Sequence, residues 1–249
     1  MLAAPKLTRR QAIQISTLSL IQYLLGGIES VNALDDRPAY CYLGESGWCG
    51  PHVDFFIGNL LTKIPEDHKR EIFSILANTN YRSVLRYRST DHFKVPYAKE
   101  IIRYFLEQDE MKFHGFKVKF MSDWPDISDE RYALYFGMYK KLLIRSGSNR
   151  ATLIMVHTQT RTTTGRDEIF WQFLKTELGV PEIRRVRGRN DDLTQLVGFF
   201  TGLMRDEREL ESEAKKSLFS YLRESLNVES LDEMYLGEHP KFNVRNLLV

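Results

Sequence analysis

The sequence predicts an α/β fold in which one mixed β-sheet carries helices on both sides. Three observations lead there. Two strand-like runs, residues 38–43 and 53–61, follow one another early, separated by a Gly-rich turn. Helical and strand-like segments then alternate, the pattern that builds parallel pairs into a sheet. Residues 153–156 (Leu-Ile-Met-Val) form a compact apolar run of the kind found in a central strand covered on both faces.

Each element has a local reason. The first strand, 38–43, is aromatic and stops at Gly44-Glu45-Ser46-Gly47. After the second strand, Pro65 opens a helix through Ala77, with Glu66 and Asp67 in its first turn, where negative charge is favoured. Residues 81–87 read as a further strand. Pro96 starts a helix in which Ala98, Ile101, Ile102 and Phe105 repeat at helical spacing. Residues 116–121 alternate as a strand. Ser128 begins a long helix whose apolar stripe is Tyr132, Tyr135, Met138 and Leu142. A helix over 167–178 ends at Gly179, a good C-terminal residue. Residues 183–186 are strand-like, and Asp191-Asp192 caps a helix through Met204. The last helix covers 207–226, followed by a mostly polar tail ending in Lys241-Phe242-Asn243-Val244. The most loop-like stretch, 158–165, lies inside what reads as one unit, so residues 34–249 are expected to form a single domain behind an extension, 1–33.

With 249 residues, 43% hydrophobic and 12% aromatic, the chain can bury a sizeable core, and extensive disorder is excluded. Lys6, Arg9 and Arg10 against Glu29 give residues 1–33 a charge of +2, which is the whole net charge of the chain. The body is therefore neutral and gives no general reason to expect a nucleic-acid or membrane partner. Cys41 and Cys49 flank the Gly-rich turn. They are too few for a disulfide framework and lack zinc-site spacing, so they read as reduced thiols unless the protein is exported.

Residues 7–33 pair Arg9-Arg10 with a moderately apolar stretch, then Gly26-Gly27 and the small residues Val31-Asn32-Ala33. That layout is similar to a twin-arginine export signal, and it predicts a mature N-terminus near Leu34. The competing reading is an amphipathic helix with Ile13, Leu20, Leu24 and Ile28 on one face. No other apolar run is long enough to cross a membrane.

Searches for catalytic motifs exclude several classes. There is no phosphate loop with Lys-Ser or Lys-Thr, no HExxH and no GxSxG. The histidines (His52, His68, His92, His114, His157 and His239) are scattered singly. Two segments remain: Tyr42-Leu43-Gly44-Glu45-Ser46-Gly47, with a carboxylate just past an early strand, and Arg189-Asn190-Asp191-Asp192-Leu193-Thr194-Gln195-Leu196 leading into a helix.

In order, these segments resemble the family called "domain of unknown function 3800", whose members begin with a strand ending in Asp-Glu-Ser-Gly and carry a late helix with a Leu-Gln-Leu-Ala-Asp-like core. The middle block Leu85-Arg86-Tyr87-Arg88-Ser89-Thr90 with Lys94-Val95-Pro96, and the closing Lys241-Phe242-Asn243-Val244, extend the resemblance over about residues 38–246. It implies a ribonuclease-H-like fold. Chemistry on that fold needs clustered carboxylates holding two divalent ions about 4 Å apart, with Mg²⁺ or Mn²⁺ as the hard cations such oxygen ligands suit.

This chain departs from the pattern at the acids. The family's first-strand Asp aligns with Gly44 and the late-helix Asp with Gly198. His157 stands where a further Asp is common, and Ser83-Val84 where an acid often precedes the middle block. The expected reading is a catalytically degenerate protein that keeps the scaffold as a binding or interaction module and needs no cofactor. The alternative is an active metal-dependent nuclease or phosphodiesterase. Its metal ligands would be Glu45 and Asp192 (or Asp191), Lys94 would stabilise charge, and His157 would act as ligand or general base. Asp167 and Glu168 are the next acids in line. Each has a plainer role: Glu45 as a solvated turn residue, Asp191 or Asp192 as a helix cap, Asp167 and Glu168 as first-turn charges. A third reading, an exported protein of unrelated activity, follows from the N-terminal signal. Arg184, Arg185, Arg187 and Arg189 with Lys94, Arg86 and Arg88 form either a phosphate-binding groove or a solvated face. Tyr132, Tyr135, Phe136 and Tyr139 read as helix packing.

Overall fold

The computed structural model describes residues 40–47, 55–79, 91–119, 128–151, 153–157, 167–180, 182–186, 191–205, 212–229 and 239–248. The N-terminal extension, the strand expected over 81–87 and the loop 158–165 lie outside these residues, as do Cys49, Arg86, Arg88, Arg187 and Arg189.

The strands are β1 (Tyr40–Ser46), β2 (Phe55–Thr62), β3 (Lys112–Lys119), β4 (Leu153–His157), β5 (Glu182–Val186) and β6 (Phe242–Leu248). The helices are α1 (Pro65–Asn78), α2 (Val95–Glu107), α3 (Ser128–Arg145), α4 (Asp167–Leu178), α5 (Asp192–Arg205) and α6 (Glu213–Leu226). All six strands join one sheet in the order β5-β4-β1-β2-β3-β6. Strand β2 is antiparallel to both its neighbours, β1 and β3, and the remaining pairs are parallel. The chain is thus an α/β protein with a mixed sheet flanked by helices, as expected. Among the described residues no helix is long and apolar enough to cross a membrane.

Alternation along the strands sends successive side chains to opposite faces, so the sheet divides two cores. On one face Tyr42, Phe56, Leu60, Phe113, Phe242 and Val244 pack against α2, α5 and α6. At its centre the Phe113 and Phe242 rings stack at 4.7 Å, and Phe105 meets Phe200 at 4.8 Å. The other face sets Cys41, Leu43, Ile57, Phe116 and Val118 against Tyr135, Met138 and Leu142 of α3 and Phe170 and Leu174 of α4. Strand β2 is buried along all eight of its residues, which is why its sequence is a nearly unbroken apolar run.

Helix boundaries follow local chemistry. Pro65 starts α1, with Glu66 and Asp67 in the first turn. Ser212 caps α6 by accepting from the Lys215 amide at 3.3 Å, and Asn227 closes it in the left-handed conformation at φ 54°. Gly179, just after α4, takes φ 62°.

Three expectations need correction. Strand β1 runs through Gly44 and Glu45 to Ser46, so Glu45 is inside the strand and not in the turn after it. Strand β3 begins at Lys112, before the interior Gly115 that hid it in the sequence. The C-terminal stretch is not a polar tail: residues 242–248 form β6, which pairs along β3 from Phe113–Phe242 to Lys119–Leu248.

Candidate functional site at the end of strand β1

Gly44 of β1 pairs with Gly58 of β2, which pairs with Gly115 of β3. Paired residues share a face, so three glycines form a row across the sheet under α5. Two of the contacts leave no room for a side chain. A Cβ on Gly44 would lie 2.8 Å from Val197 Cγ1, and one on Gly58 would lie 2.7 Å from Thr201 Cγ2. Glycine inside a strand commonly marks such close backbone approach. The Gly44 position also lies 3.4 Å from the backbone nitrogen of Gly198, whereas a Cβ built on Gly198 itself meets nothing within 4 Å. Both are glycine, and Val197 occupies the space beside Gly44.

Glu45 points to the other face. Tyr135 donates to Glu45 Oε2 at 2.6 Å, and Tyr139 donates to the same oxygen at 3.3 Å. Burial pushes the Glu45 carboxyl up to about 7, against the pull of the two hydroxyl hydrogen bonds. The tyrosines read from the sequence as packing do pack, since Tyr135 and Tyr139 stand 5.0 Å apart against Phe170. They also hold this carboxyl in place.

The acids of α5 belong to the Gly44 face. Asp191 caps the helix, its Oδ1 accepting from the Thr194 amide at 2.8 Å and the Thr194 hydroxyl at 2.9 Å. Its Oδ2 lies 3.1 Å from Lys69 Nζ on α1, and Asp191 is only 6% exposed. The Lys69 ammonium sits 5.8 Å from the centre of the Tyr42 ring. Burial opposes the Lys69 charge, but Asp191, through attraction and a hydrogen bond, together with Glu66 and Tyr42 raises the lysine above its ordinary value. Burial and then Asp191 raise the Tyr42 hydroxyl. Burial, then the neighbouring Asp191 charge, raises the Asp192 carboxyl, with Lys69 partly offsetting. Burial and then Asp192 raise Tyr97 of α2.

The remaining candidates are dispersed. Lys94 precedes α2 and pairs with Asp91 at 3.4 Å. His157 ends β4, one residue beyond the Leu43–Val156 pair, which brings its backbone level with Gly44. Asp167 and Glu168 open α4, on the other side of the sheet from α5. Arg184 is exposed and pairs with Glu182 on its own strand at 2.6 Å, as a solvated face predicts.

This donor set does not fit two hard cations. Glu45 is separated from Asp191 and Asp192 by the sheet, both Asp191 oxygens are engaged, and the Lys69 ammonium beside them repels a cation. Among the described residues no group of three His, Cys, Asp or Glu side chains is placed to hold a metal ion.

A second polar cluster lies on the α3 face. The Asn59 amide donates to the hydroxyls of Ser146 and Ser148, each at 2.7 Å. Burial pushes the free Cys41 thiol up to about 12, with Ser148 and Asn59 opposing. Sequence reading missed this cluster and the Lys69–Asp191 pair, because both join residues far apart in the chain. The glycine row did leave a signal: Gly58 interrupts a strand-like apolar run, and Gly115 an alternating one.

No protein-family model matches the chain, and no curated protein matches it. Among solved structures, it is similar to a chain of the PCNA:RNase HII complex from Archaeoglobus fulgidus. The identity is 14% over 73% of this chain and 78% of that one, with a TM-score of 0.44. Ribonuclease H2 from Pyrococcus horikoshii is 14% identical over 81% of this chain and 90% of its own, with a TM-score of 0.42. A point mutant of Bst-RNase HIII is 7% identical over 80% and 75%, with a TM-score of 0.36.

Proposed function

We propose that this chain is a catalytically degenerate ribonuclease-H-like protein that keeps the scaffold as a binding or interaction module. One observation carries the reading. Gly44 and Gly198, the positions at which the resembled family has acids, both lack a side chain, and at Gly44 Val197 fills the place a carboxylate needs. The strand order supports the architectural half: an antiparallel run β1-β2-β3, with β4 and β5 added in parallel on the other side of β1. The acid next in sequence, Glu45, is held on the opposite face by Tyr135 and Tyr139.

The test is a hydrolysis panel on the full-length protein. Single- and double-stranded DNA and RNA are offered with Mg²⁺, Mn²⁺ or a chelator, and thermal stability is followed in parallel. The expected result is no metal-dependent cleavage and no rise in melting temperature on adding millimolar metal, since a bound ion would stabilise the fold by mass action. Cleavage that needs metal and is lost in Asp192→Asn would overturn the reading in favour of an active phosphodiesterase with a rebuilt site.

A further inference from the structure

Among the described residues, strand β5 is an outer strand of the sheet, paired with β4 on one side only. An outer strand presents a row of backbone N–H and C=O groups to whatever lies alongside. The strand reads Glu-Ile-Arg-Arg-Val, and its register with β4 fixes the face of each residue. Ile183 lies opposite Ile154 and packs, partly buried, at the border of the core beneath α3 and α4. Glu182 and Arg184 lie opposite Leu153 and Met155 and share the other face. They pair there at 2.6 Å, with 49% of the glutamate and 60% of the arginine side chain exposed.

Charges on an open edge normally discourage pairing. In β5 their order favours one partner, a second copy of the same strand. Two copies joined edge to edge by a two-fold axis run antiparallel, and the residue on the axis faces itself. Centred on Ile183, the axis sets Glu182 opposite the second copy's Arg184, and Arg184 opposite the second copy's Glu182. Opposite residues of an antiparallel pair share a face and interact, so each charge gains a counter-ion beyond the one on its own strand. An axis one residue earlier sets Glu182 against itself, and one residue later sets Arg184 against itself. Like charges directly opposite are unfavourable, so both slipped registers are disfavoured. At the centre Ile183 meets its own copy, covering an apolar side chain that the single chain leaves partly open.

We propose that β5 is a self-pairing edge through which two copies of this chain join their sheets into one, two-fold about Ile183. Backbone hydrogen bonds supply the association, and the Glu182–Arg184 pairs set its register. The inference is independent of the chemistry assigned to the Gly44 face. Strand β5 has only five residues, so the interface buries little surface and the dimer is expected to form and dissociate with concentration.

The experiment is analytical ultracentrifugation of the full-length protein over a concentration series. Wild type is compared with Glu182→Arg, Arg184→Glu, the double reversal Glu182→Arg/Arg184→Glu, and an equimolar mixture of the two single variants. Both side chains are largely solvated, so the fold of the single chain is expected to survive each change, checked by circular dichroism. Wild type is expected to rise in mass from monomer towards dimer. Each single reversal turns two attractive cross-strand pairs into two repulsive ones and is expected to weaken the dimer about tenfold. The double reversal restores both pairs and is expected to associate like wild type. The mixture is expected to associate as well, since one variant then offers two positive charges and the other two negative. A monomer at every concentration would overturn the proposal. A dimer that neither single reversal weakens would place the interface elsewhere. A mixture that associates no better than its components would rule out the register centred on Ile183.

Discussion

At Glu45 two tyrosine hydroxyls reach the same carboxylate oxygen inside an aromatic wall, yet burial still raises the carboxyl to about 7. The folded protein therefore holds a proton there more tightly than the unfolded chain, and stability falls as pH rises from about 4.5 through 7. Glu45→Gln keeps the shape without the charge. Relative to wild type, it is expected to gain on the order of 2 kcal/mol between pH 5 and pH 8, measured by denaturant unfolding at each pH. Parallel pH profiles for the two proteins would show that the carboxyl is solvated. Asp191 is the opposite case, a charged carboxylate satisfied twice. Asp191→Ala removes the cap of α5 and leaves the Lys69 ammonium with Glu66 as its ion-pair partner, with an expected loss of about 2 kcal/mol. Asp191→Asn retains an acceptor for the Thr194 amide and is expected to lose about half of that. Equal losses would assign the whole effect to the ion pair.

Helix α5 is seated on the sheet more deeply than side chains at Gly44 and Gly58 would permit. Gly44→Ala is expected to destabilise the fold by about 2 kcal/mol, the range found for overpacked cores. The Gly44→Ala/Val197→Ala pair is expected to recover part of this, giving a coupling of about 1 kcal/mol in a double-mutant cycle. Additive effects would show that α5 moves as a body instead of yielding at Val197. The same helix shows what the sequence disclosed and what it withheld. Its start was legible because Asp191 acts through a residue three along the chain. Its depth was not, because it depends on Gly44 and Gly58, 14 residues apart, meeting in register. Gly44 read as the end of β1 for the same reason: a glycine that breaks a strand and one that admits a helix look alike in one dimension. Strand β6 was missed although Phe242 and Val244 alternate with Asn243 and Arg245, because its partner β3 lies about 130 residues earlier in the chain. Of the candidate site, the positions were readable and their faces were not. One residue of slip in where β1 ends decides whether Glu45 joins Asp192 or opposes it.

For the molecule as a whole, two groups on the α3 face set opposing pH slopes. His114 has its folded value depressed to about 4, so its contribution to stability is present above its ordinary value of 6.5 and is lost as pH falls towards 4. Glu45, raised from 4.5 to about 7, loses its contribution as pH rises through that window. Between about 4.5 and 6.5 the slopes offset, so these two groups leave stability nearly flat there, with a decline on either side. Denaturant unfolding across this range is expected to show the plateau in wild type. In Glu45→Gln it is expected to give a rise up to about pH 6.5 with no decline attributable to this site above it. A wild-type profile that climbs steadily through the window would remove Glu45 from the balance.

The seating of α5 against Gly44 also governs the order in which this chain can change. A carboxylate placed at residue 44 meets Val197 before it can meet a metal ion, so that step alone is penalised. Shrinking residue 197 first opens a small void and confers no benefit by itself. A larger residue at position 44 is accommodated through two substitutions, the first of them unrewarded, and this gives the glycine a permanence that its own free energy does not require.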